Sequence, residues 1–433
     1  MDPIERAPAP DDRVRAQLGE VFRIEHARVV AAVLRIVRDI DAAQEVVQEA
    51  FAQALAHWPA AGIPDRPGAW LLTTARRRAL DHLRQARRAG ARVDALTREA
   101  LGAAHPAPDV PNVDEISEEV PDDRLRLIFT CCHPALPADS RVALTLRLVG
   151  GLSTTEIARA FLLAEPAIAQ RLVRAKRTIR DGGFPYEVPE GAELASRLSA
   201  VLAVLYLIFN EGYAAHSGGD LVRQDLCDEA IRLGRVLAEL MPREPEVLGL
   251  LALMELQASR AAARTDAGGN LVLLEDQDRR RWDRARIARG LDCLERAGPP
   301  ARAGVYQLQA AIAACHAQAA SWEATDWPRI VAHYRALVAQ APSPVIDLNL
   351  AVAIGLADGP AAGLAALDRI DDPALRDYHL LPAARAEFLR RLGRAREAAV
   401  EYRRALRLVD NPREQAFLAA RLAACEAGGG SSF

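Results

Sequence analysis

The sequence predicts an all-α protein, and three observations carry that prediction. Ala, Leu and Arg dominate a chain in which aromatic residues make up only 5%, a balance that favours helix over sheet. Between Gly150 and Arg180 the text GGLSTTEIARAFLLAEPAIAQRLVRAKRTIR spells two helices joined by a tight turn. Past Glu193, helical segments follow one another with short breaks and no alternating strand pattern. At 433 residues, half of them hydrophobic, the chain has room for about two to four domains with sizeable cores.

The start, MDPIERAPAPDD, is polar and proline-rich and reads as a frayed tail over residues 1–20. The next module spans 21–92. Its first recognisable helix follows Asp39-Ile40-Asp41, with Val46, Val47, Ala50, Phe51 and Leu55 on one apolar side. Asp41 with Gln44 offers a capping box at its start. A second helix, PGAWLLTTARRRALDHLRQARR (Pro67–Arg88), sets Trp70 among a dense arginine cluster. From Leu71 to Arg92 there are seven arginines against the single acid Asp81. An exposed ring beside arginines suits single-stranded nucleic acid, since rings stack on bases while cations track phosphates. Packing of Trp70 in a core is the competing reading.

Charge then reverses. From Asp94 to Asp123 nine acids face the single Arg98, interspersed with Pro106, Pro108, Pro111 and Pro121. So little bulky apolar surface cannot offset the ordering entropy, and residues 93–121 read as a linker.

The second module spans 122–181. Ser153 and Glu156 form a capping box at the start of a short helix with Ile157, Ala158 and Phe161 inward. Glu165-Pro166 then opens a longer helix. Ile168, Leu172, Ala175 and Ile179 recur at helical spacing on its inner face, while Arg171, Arg174 and Arg177 lie on another side. A short helix, a turn and a longer helix with an arginine face is how a helix-turn-helix presents one helix to the major groove. The bland alternative is a helical hairpin with a solvated basic edge.

DGGFPYEVPEG (Asp181–Gly191) opens the third part, residues 182–433. Gly359 and Gly393 lie 34 residues apart, the tetratricopeptide period. Ala398, Tyr402 and Ala405 occupy that repeat's small and aromatic positions, Asn411-Pro412 closes the unit, and Tyr334 and Pro342 match one period earlier. Helix pairs of this kind bury their apolar faces by stacking.

Composition also excludes. A net charge of −3, with Lys176 the single lysine, gives no global nucleic-acid signal, so any basic surface is local. Cys131, Cys132, Cys227, Cys293, Cys315 and Cys425 show no CxxC spacing, which points to neither a zinc site nor a disulfide framework. No Gly-rich phosphate loop, metal-carboxylate pair or nucleophile elbow is present, so no enzyme and no cofactor are expected. With no signal peptide and no apolar run of membrane-spanning length apparent, the chain is expected to be soluble and cytoplasmic, without a membrane partner.

Taken in order, DAAQEVVQEAFAQALAHW, PGAWLLTTARRRALDHLR and GGLSTTEIARAF…AQRLVRAKRTIR resemble regions 2.2, 2.3–2.4 and 4.2 of the extracytoplasmic-function RNA polymerase sigma factors. FTCCHPALP, YLIFNEGYAAHSG and LLEDQDRRRWDR resemble the subgroup with a carboxy-terminal tetratricopeptide-like extension. The resemblance implies a region 2 bundle, a region 4 helix-turn-helix and a helical-repeat regulatory domain. It implies that Glu45, Val47, Gln48 and Phe51 meet the β′ coiled coil of core RNA polymerase, with the β flap a further contact. It implies that Trp70, Thr73, Thr74, Arg76, Arg77 and Arg78 open and hold the −10 element of promoter DNA. Ala167, Gln170, Arg171 and Arg174 would meet the −35 element, with Lys176, Arg177 and Arg180 on phosphates. Ala164 stands where the family carries a capping serine, a loss of about 0.5–2 kcal/mol. A repeat scaffold carrying a conventional DNA-binding hairpin is the alternative.

Two polar clusters stand outside this scheme. Cys131-Cys132-His133 invites a metal or redox reading, against simple packing. Asn210, Glu211 and Tyr213, with Asp276 and Asp278, form a candidate pocket for a protein or small-molecule regulator. Buried ionic networks are the ordinary explanation of such groups.

Overall fold

The structure, a computed structural model, describes residues 10–101, 122–161, 163–214, 221–264, 266, 272–299, 303–409 and 412–428, and among them there are helices and no strands. The chain divides into two compact units, Met1–Ile208 and Phe209–Phe433.

The first unit opens with α1 (Pro10–Val37), α2 (Ile40–Ala61) and α3 (Pro67–Leu101), which pack on one another. α1 begins inside the segment expected to be a frayed tail: Pro10 suits a first turn, where its missing amide costs nothing. α2 buries Ala43, Val46, Val47, Ala50, Phe51, Ala54 and Trp58, a stripe at i, i+3, i+4 and i+7 spacing. Its cap differs from the sequence expectation. Asp39 accepts the Ala42 amide at 2.8 Å, two residues earlier than a box built on Asp41. α3 contributes Leu71, Leu72, Ala75 and Ala79 to the same core and runs on to Leu101, into the segment read as linker. The remaining linker positions, 102–121, lie outside the described residues.

α4 (Asp122–Cys131), α5 (Ala138–Leu148), α6 (Thr154–Ala160) and α7 (Glu165–Asp181) follow in this unit. The capping box at α6 forms as its sequence demands: the Ser153 amide donates to Glu156 Oε2 at 2.7 Å, and the Glu156 amide to Ser153 Oγ at 3.1 Å. α7 packs on α5 and α6 through Ile168, Leu172, Ala175 and Ile179, all buried. Ala164 occupies the α7 cap and makes no side-chain bond. Cys131 and Cys132 are buried and unbridged, with Cys132 Sγ 3.4 Å from Thr145 Oγ1. Burial pushes the Cys132 thiol up to about 11, which keeps it protonated at neutral pH.

α8 (Gly191–Ala214) corrects one expectation. Residues 193–213 are long and apolar enough to cross a membrane by length and composition. Leu198, Val201, Leu202, Leu205 and Ile208 are nevertheless buried in the protein, as in a core helix. Arg197 on the same helix is buried with its guanidinium 3.1 Å from the Phe129 carbonyl.

The second unit continues with α9 (Leu221–Leu240), α10 (Pro245–Ala258), α11 (Arg284–Ala297), α12 (Val305–Gln318), α13 (Trp327–Gln340), α14 (Pro344–Ala357), α15 (Pro360–Leu367), α16 (Leu380–Arg391), α17 (Ala395–Leu408) and α18 (Pro412–Gly428). From α9 onward each helix packs on the next in chain order, and α10 also on α12. Gly359 and Gly393, the pair spaced by 34 residues, both hold positive φ (98° and 73°) in turns, α14–α15 and α16–α17. A side chain would strain that backbone, which is why glycine recurs there. Ala398, Tyr402 and Ala405 are buried at the α16–α17–α18 core. Glu246 on α10 accepts the Tyr306 and Gln307 amides at 3.0 and 3.1 Å, satisfying the open end of α12 from sixty residues away.

Candidate nucleic-acid interface

α7 carries two distinct polar stripes. Ala167, Gln170, Arg174 and Arg177 are exposed, and Arg171, which lies on the same stripe, is half-buried. Arg171 reaches Asp139 on α5 at 3.4 Å, and Arg177 pairs with Asp181 at 3.1 Å. Val173 between the stripes is 61% exposed, an apolar contact available to a thymine methyl. The first stripe sets short side chains near the helix start, then guanidinium groups about one turn apart.

Lys176 and Arg180 form the other stripe and are engaged elsewhere. Lys176 Nζ lies 2.6 Å from Asp41 Oδ1 and 2.9 Å from Gln44 Oε1, leaving its side chain 16% exposed. Arg180 stands 3.7 Å from Asp39 and 3.6 Å from Asp41. Lys176, expected on a phosphate, is held by a carboxylate in this structure.

α2 and α3 enclose a groove of about 730 Å³. Trp70, Thr74, Arg77 and Arg78 line it, opposite Glu45, Glu49 and Gln53. The Trp70 ring meets the buried Trp58 edge-on, with centroids 5.4 Å apart, so one indole anchors the other at the groove wall. Trp70 is half-buried: it packs on Trp58 and also lines the groove. Arg78 is paired with Glu49, and Arg77 is exposed. Thr73 and Arg76 do not line the groove, and the Thr73 hydroxyl donates to the Ala69 carbonyl at 2.9 Å. His57, His82 and Gln85 line it as well and were missed from sequence. Their signal was present: 45, 49, 53 and 57 on one helix and 74, 78, 82 and 85 on the other keep helical spacing.

The residues expected to meet polymerase divide. Glu45 and Gln48 are exposed on α2, whereas Val47 and Phe51 are buried, Phe51 edge-on to Phe22 at 4.6 Å. Val47 and Phe51 build the core beneath that surface rather than the surface itself, because both fall on the inward stripe of a 3.6-residue period.

The five residues expected to form a regulatory pocket in the second unit have these surroundings among the described residues. Tyr213 is taken up structurally: its hydroxyl accepts from Arg260 at 3.0 Å, and Arg264 stacks 3.9 Å over its ring while bonding its carbonyl. Asp278 is exposed and caps the short 3-10 helix Arg279–Arg281, while Asp276 is exposed. Asn210 and Glu211 are half-buried on α8. None of the five lines the cavity of about 320 Å³ between α11, α12 and α13, which Leu291, Leu308, Arg329 and His333 help to form.

With this geometry in place, comparison with known proteins is informative. Residues 21–89 match sigma-70 region 2, residues 126–179 match sigma-70 region 4, and residues 197–298 match a family of unknown function, DUF6596. An uncharacterized protein of Rhizobium meliloti (strain 1021) is 45% identical over 91% of this chain and 92% of its own. The ECF RNA polymerase sigma factor SigL of Mycobacterium tuberculosis is 31% identical over 38% of this chain, covering 88% of that protein. SigK of Mycobacterium bovis is 30% identical over 42% of this chain and 92% of its own length. The probable sigma factor SigI of Mycobacterium tuberculosis is matched over 54% of its length. The fold and site define a sigma-70-type transcription initiation factor. The chain belongs to the extracytoplasmic-function (ECF) RNA polymerase sigma factors, and it carries a further helical unit beyond the sigma regions.

Proposed function

We propose that this protein binds core RNA polymerase in the cytoplasm and directs initiation at promoters it selects by their −35 and −10 elements. One observation carries the reading. An α6–α7 helix-turn-helix with an exposed Ala167-Gln170-Arg174 stripe follows, on one chain, a groove lined by Trp70, Thr74 and Arg77. Two separated readers, one shaped for duplex and one for stacked single strand, suit a promoter and not a simple operator. Arg171 and Arg174 read −35 bases, and Trp70 with Arg77 holds the opened −10 strand. Glu45 and Gln48 supply the β′ contact, and region 4 meets the β flap. Residues 21–92 and 122–181 are the working sigma modules, 93–121 joins them, and 182–433 is a tetratricopeptide-like array that sets their activity in cis. Support for the array comes from the serial packing of α9 to α18 and the paired turn glycines.

Transcription with purified core polymerase and this chain on a genomic fragment library, read by sequencing transcript starts, tests the proposal. Starts sharing two spaced motifs are expected. Starts indistinguishable from those of core polymerase alone would overturn it.

A further inference from the structure

Between α11, α12 and α13 the second unit holds a cavity of about 320 Å³, and its apolar walls come from two separate hydrophobic clusters. Leu291, Leu294 and Ala314 belong to one cluster, Ala303 and Leu308 to the other. The α11 wall lies inside the segment that matches DUF6596, and the α12 and α13 walls lie beyond it. At liquid-like density the space accommodates about ten non-hydrogen atoms. Three polar side chains of the lining are not used by the fold. His333 is 7% exposed, and its Nε2 has no hydrogen-bond partner in the protein. A buried polar atom left unpaired is destabilising, and native proteins keep few of them without a use. Gln307, the other buried polar residue of the wall, is by contrast satisfied. Its amide donates to the Ala297 carbonyl at 3.1 Å, and its Oε1 accepts the Gly304 amide at 3.0 Å. Arg329 and Glu295 are exposed, which places them at the mouth. Neither side chain is ion-paired among the described residues, with each other or elsewhere, whereas the adjacent Arg296 holds Asp292 at 3.4 Å. Burial, with Arg329 close by, lowers the His333 imidazole from its ordinary range, so the ring is neutral at pH 7. The charges lining the cavity are therefore one guanidinium and one carboxylate.

We infer that this cavity binds a small zwitterion with an apolar body, the chemistry of a free α-amino acid. A simple anion would meet Arg329 and be repelled by Glu295, and a simple cation would meet the reverse. A molecule carrying both charges satisfies both walls. Its carboxylate meets the Arg329 guanidinium, whose planar fork suits two oxygens. Its ammonium group meets Glu295, and one of its polar atoms completes the buried His333 imidazole. Its side chain fills the space between Leu291 and Leu294 on one wall and Leu308 and Ala311 on the other. Occupancy thereby joins two clusters that the protein leaves separate, and it stabilises the packing of α11 on α12 and α13. Use of that change as a signal to the sigma modules rests on the reading proposed above, whereas binding itself does not.

Thermal melts of the full-length chain with each proteinogenic L-amino acid, supplied singly at millimolar concentration, test the site. A ligand of the folded state raises the melting temperature as its concentration rises. At least one amino acid with an apolar side chain is expected to give a saturable rise, and titration calorimetry then gives its affinity. The matching amine, which lacks the carboxylate, and the matching carboxylic acid, which lacks the amino group, are each expected to bind about tenfold more weakly, the loss of one charge-assisted hydrogen bond. Arg329→Gln and Glu295→Gln should each weaken the amino acid by a similar factor. Arg329→Gln should also stop distinguishing the amino acid from the amine, and Glu295→Gln from the acid, a pattern that a general loss of stability does not produce. Ala311→Leu, which fills the cavity and leaves both charges in place, should abolish binding, with the ligand-free melt of each variant reporting its folding. No saturable rise with any amino acid, equal binding of the amine, the acid and the amino acid, or unchanged affinity in all three variants would overturn the site. Neither polymerase nor promoter enters the measurement. Failure of promoter-directed initiation would therefore leave this result standing, and a chain that initiates yet binds no amino acid would lose the site alone.

Discussion

Arg171 on α7 stands 3.4 Å from Asp139 at the first turn of α5, its side chain 25% exposed and its partner's 73%. In the proposed reading, the contact orients this guanidinium before DNA arrives. A pair with so exposed a carboxylate is worth about 0–1 kcal/mol, whereas a bidentate contact to guanine gives about 1–3 kcal/mol. In the proposed reading DNA therefore outcompetes Asp139 for Arg171. Arg171→Ala and Arg174→Ala are each expected to reduce occupancy of a cognate promoter by about tenfold and to relax discrimination at one −35 base pair. Asp139→Asn should raise occupancy by less than about fivefold. Footprinting on promoters mutated base by base reads all three, and uniform losses across every sequence would show that the arginines touch only phosphate.

The groove between α2 and α3 makes a different prediction. Trp70 is braced by Trp58, so its exposed side is a rigid stacking surface. Loss of one base stack costs about 1–3 kcal/mol, and Trp70→Ala should lower strand opening, read by permanganate footprinting, by about tenfold or more. Trp70→Phe should recover part of it. Arg77 is exposed while Arg78 is held by Glu49. Arg77→Ala is therefore expected to lower the salt slope of single-strand binding by about 0.7, and Arg78→Ala by less. Equal slopes for the two variants would contradict the pairing.

Local features of this protein were legible in its sequence, and features decided between distant segments were not. Ser153 and Glu156 form their reciprocal box because both partners lie within one turn. The inward faces of α2 and α7 follow from periodicity alone. Asp39 and Asp41, by contrast, both fit a cap pattern two residues apart. The choice fell to Asp39 while Asp41 faces Lys176, a partner 135 residues away. A family resemblance assigned a polymerase contact to Val47 and Phe51, yet both are buried, since a motif marks a stretch of helix and burial selects its side. Tyr186 gave no signal at all, because a tyrosine between Pro185 and Pro189 reads as loop until its two carbonyl partners, Ala31 and Asp123, are seen.

A buried carboxylate organises the start of the second unit. Glu255 on α10 is 1% exposed and receives Arg235 of α9 at 3.1 Å and Arg289 of α11 at 3.1 and 3.2 Å, with Arg286 at 3.7 Å. Glu255→Ala would leave three cations converging on an empty site. Removing one partner of a buried pair costs about 3–5 kcal/mol. The arginines retain some solvent access, so the lower end, about 3 kcal/mol, is expected in urea unfolding of the full chain. Arg235→Ala, which leaves two donors in place, should cost about 1 kcal/mol. A loss under about 1 kcal/mol for Glu255→Ala would show that hydrophobic contacts alone hold these three helices.

Acid should weaken the second unit in two stages, carried by two residues shifted below their ordinary values. His316 on α12 lies against Trp322 and Trp327, with centroids 6.4 and 5.3 Å away. Burial first, and then Arg260 and Arg279, push its imidazole down to about 4. The unfolded chain takes up that proton near pH 6.5 and the folded chain does not, so its contribution is complete above pH 6.5 and is lost as pH falls toward 4. Glu387 on α16 is drawn the same way by a different balance. Burial would raise its carboxyl, but hydrogen bonds from Arg390, Arg391 and the Tyr402 hydroxyl outweigh it and hold the group at about 2. Its contribution is complete above pH 4.5 and falls away between 4.5 and 2. The histidine stage is expected to remove about 2–3 kcal/mol; the glutamate stage, reduced by solvent screening, about 1–2 kcal/mol. Thermal melts across pH 7 to 2.5 read both. His316→Gln should flatten the upper stage alone and Glu387→Gln the lower stage alone, because the two groups sit on different helices with no shared partner. A wild-type melting profile constant from pH 6.5 to 4 would mean that the imidazole is hydrated in the folded protein, and the packing of α12 against Trp322 would have to be looser than the ring distances require.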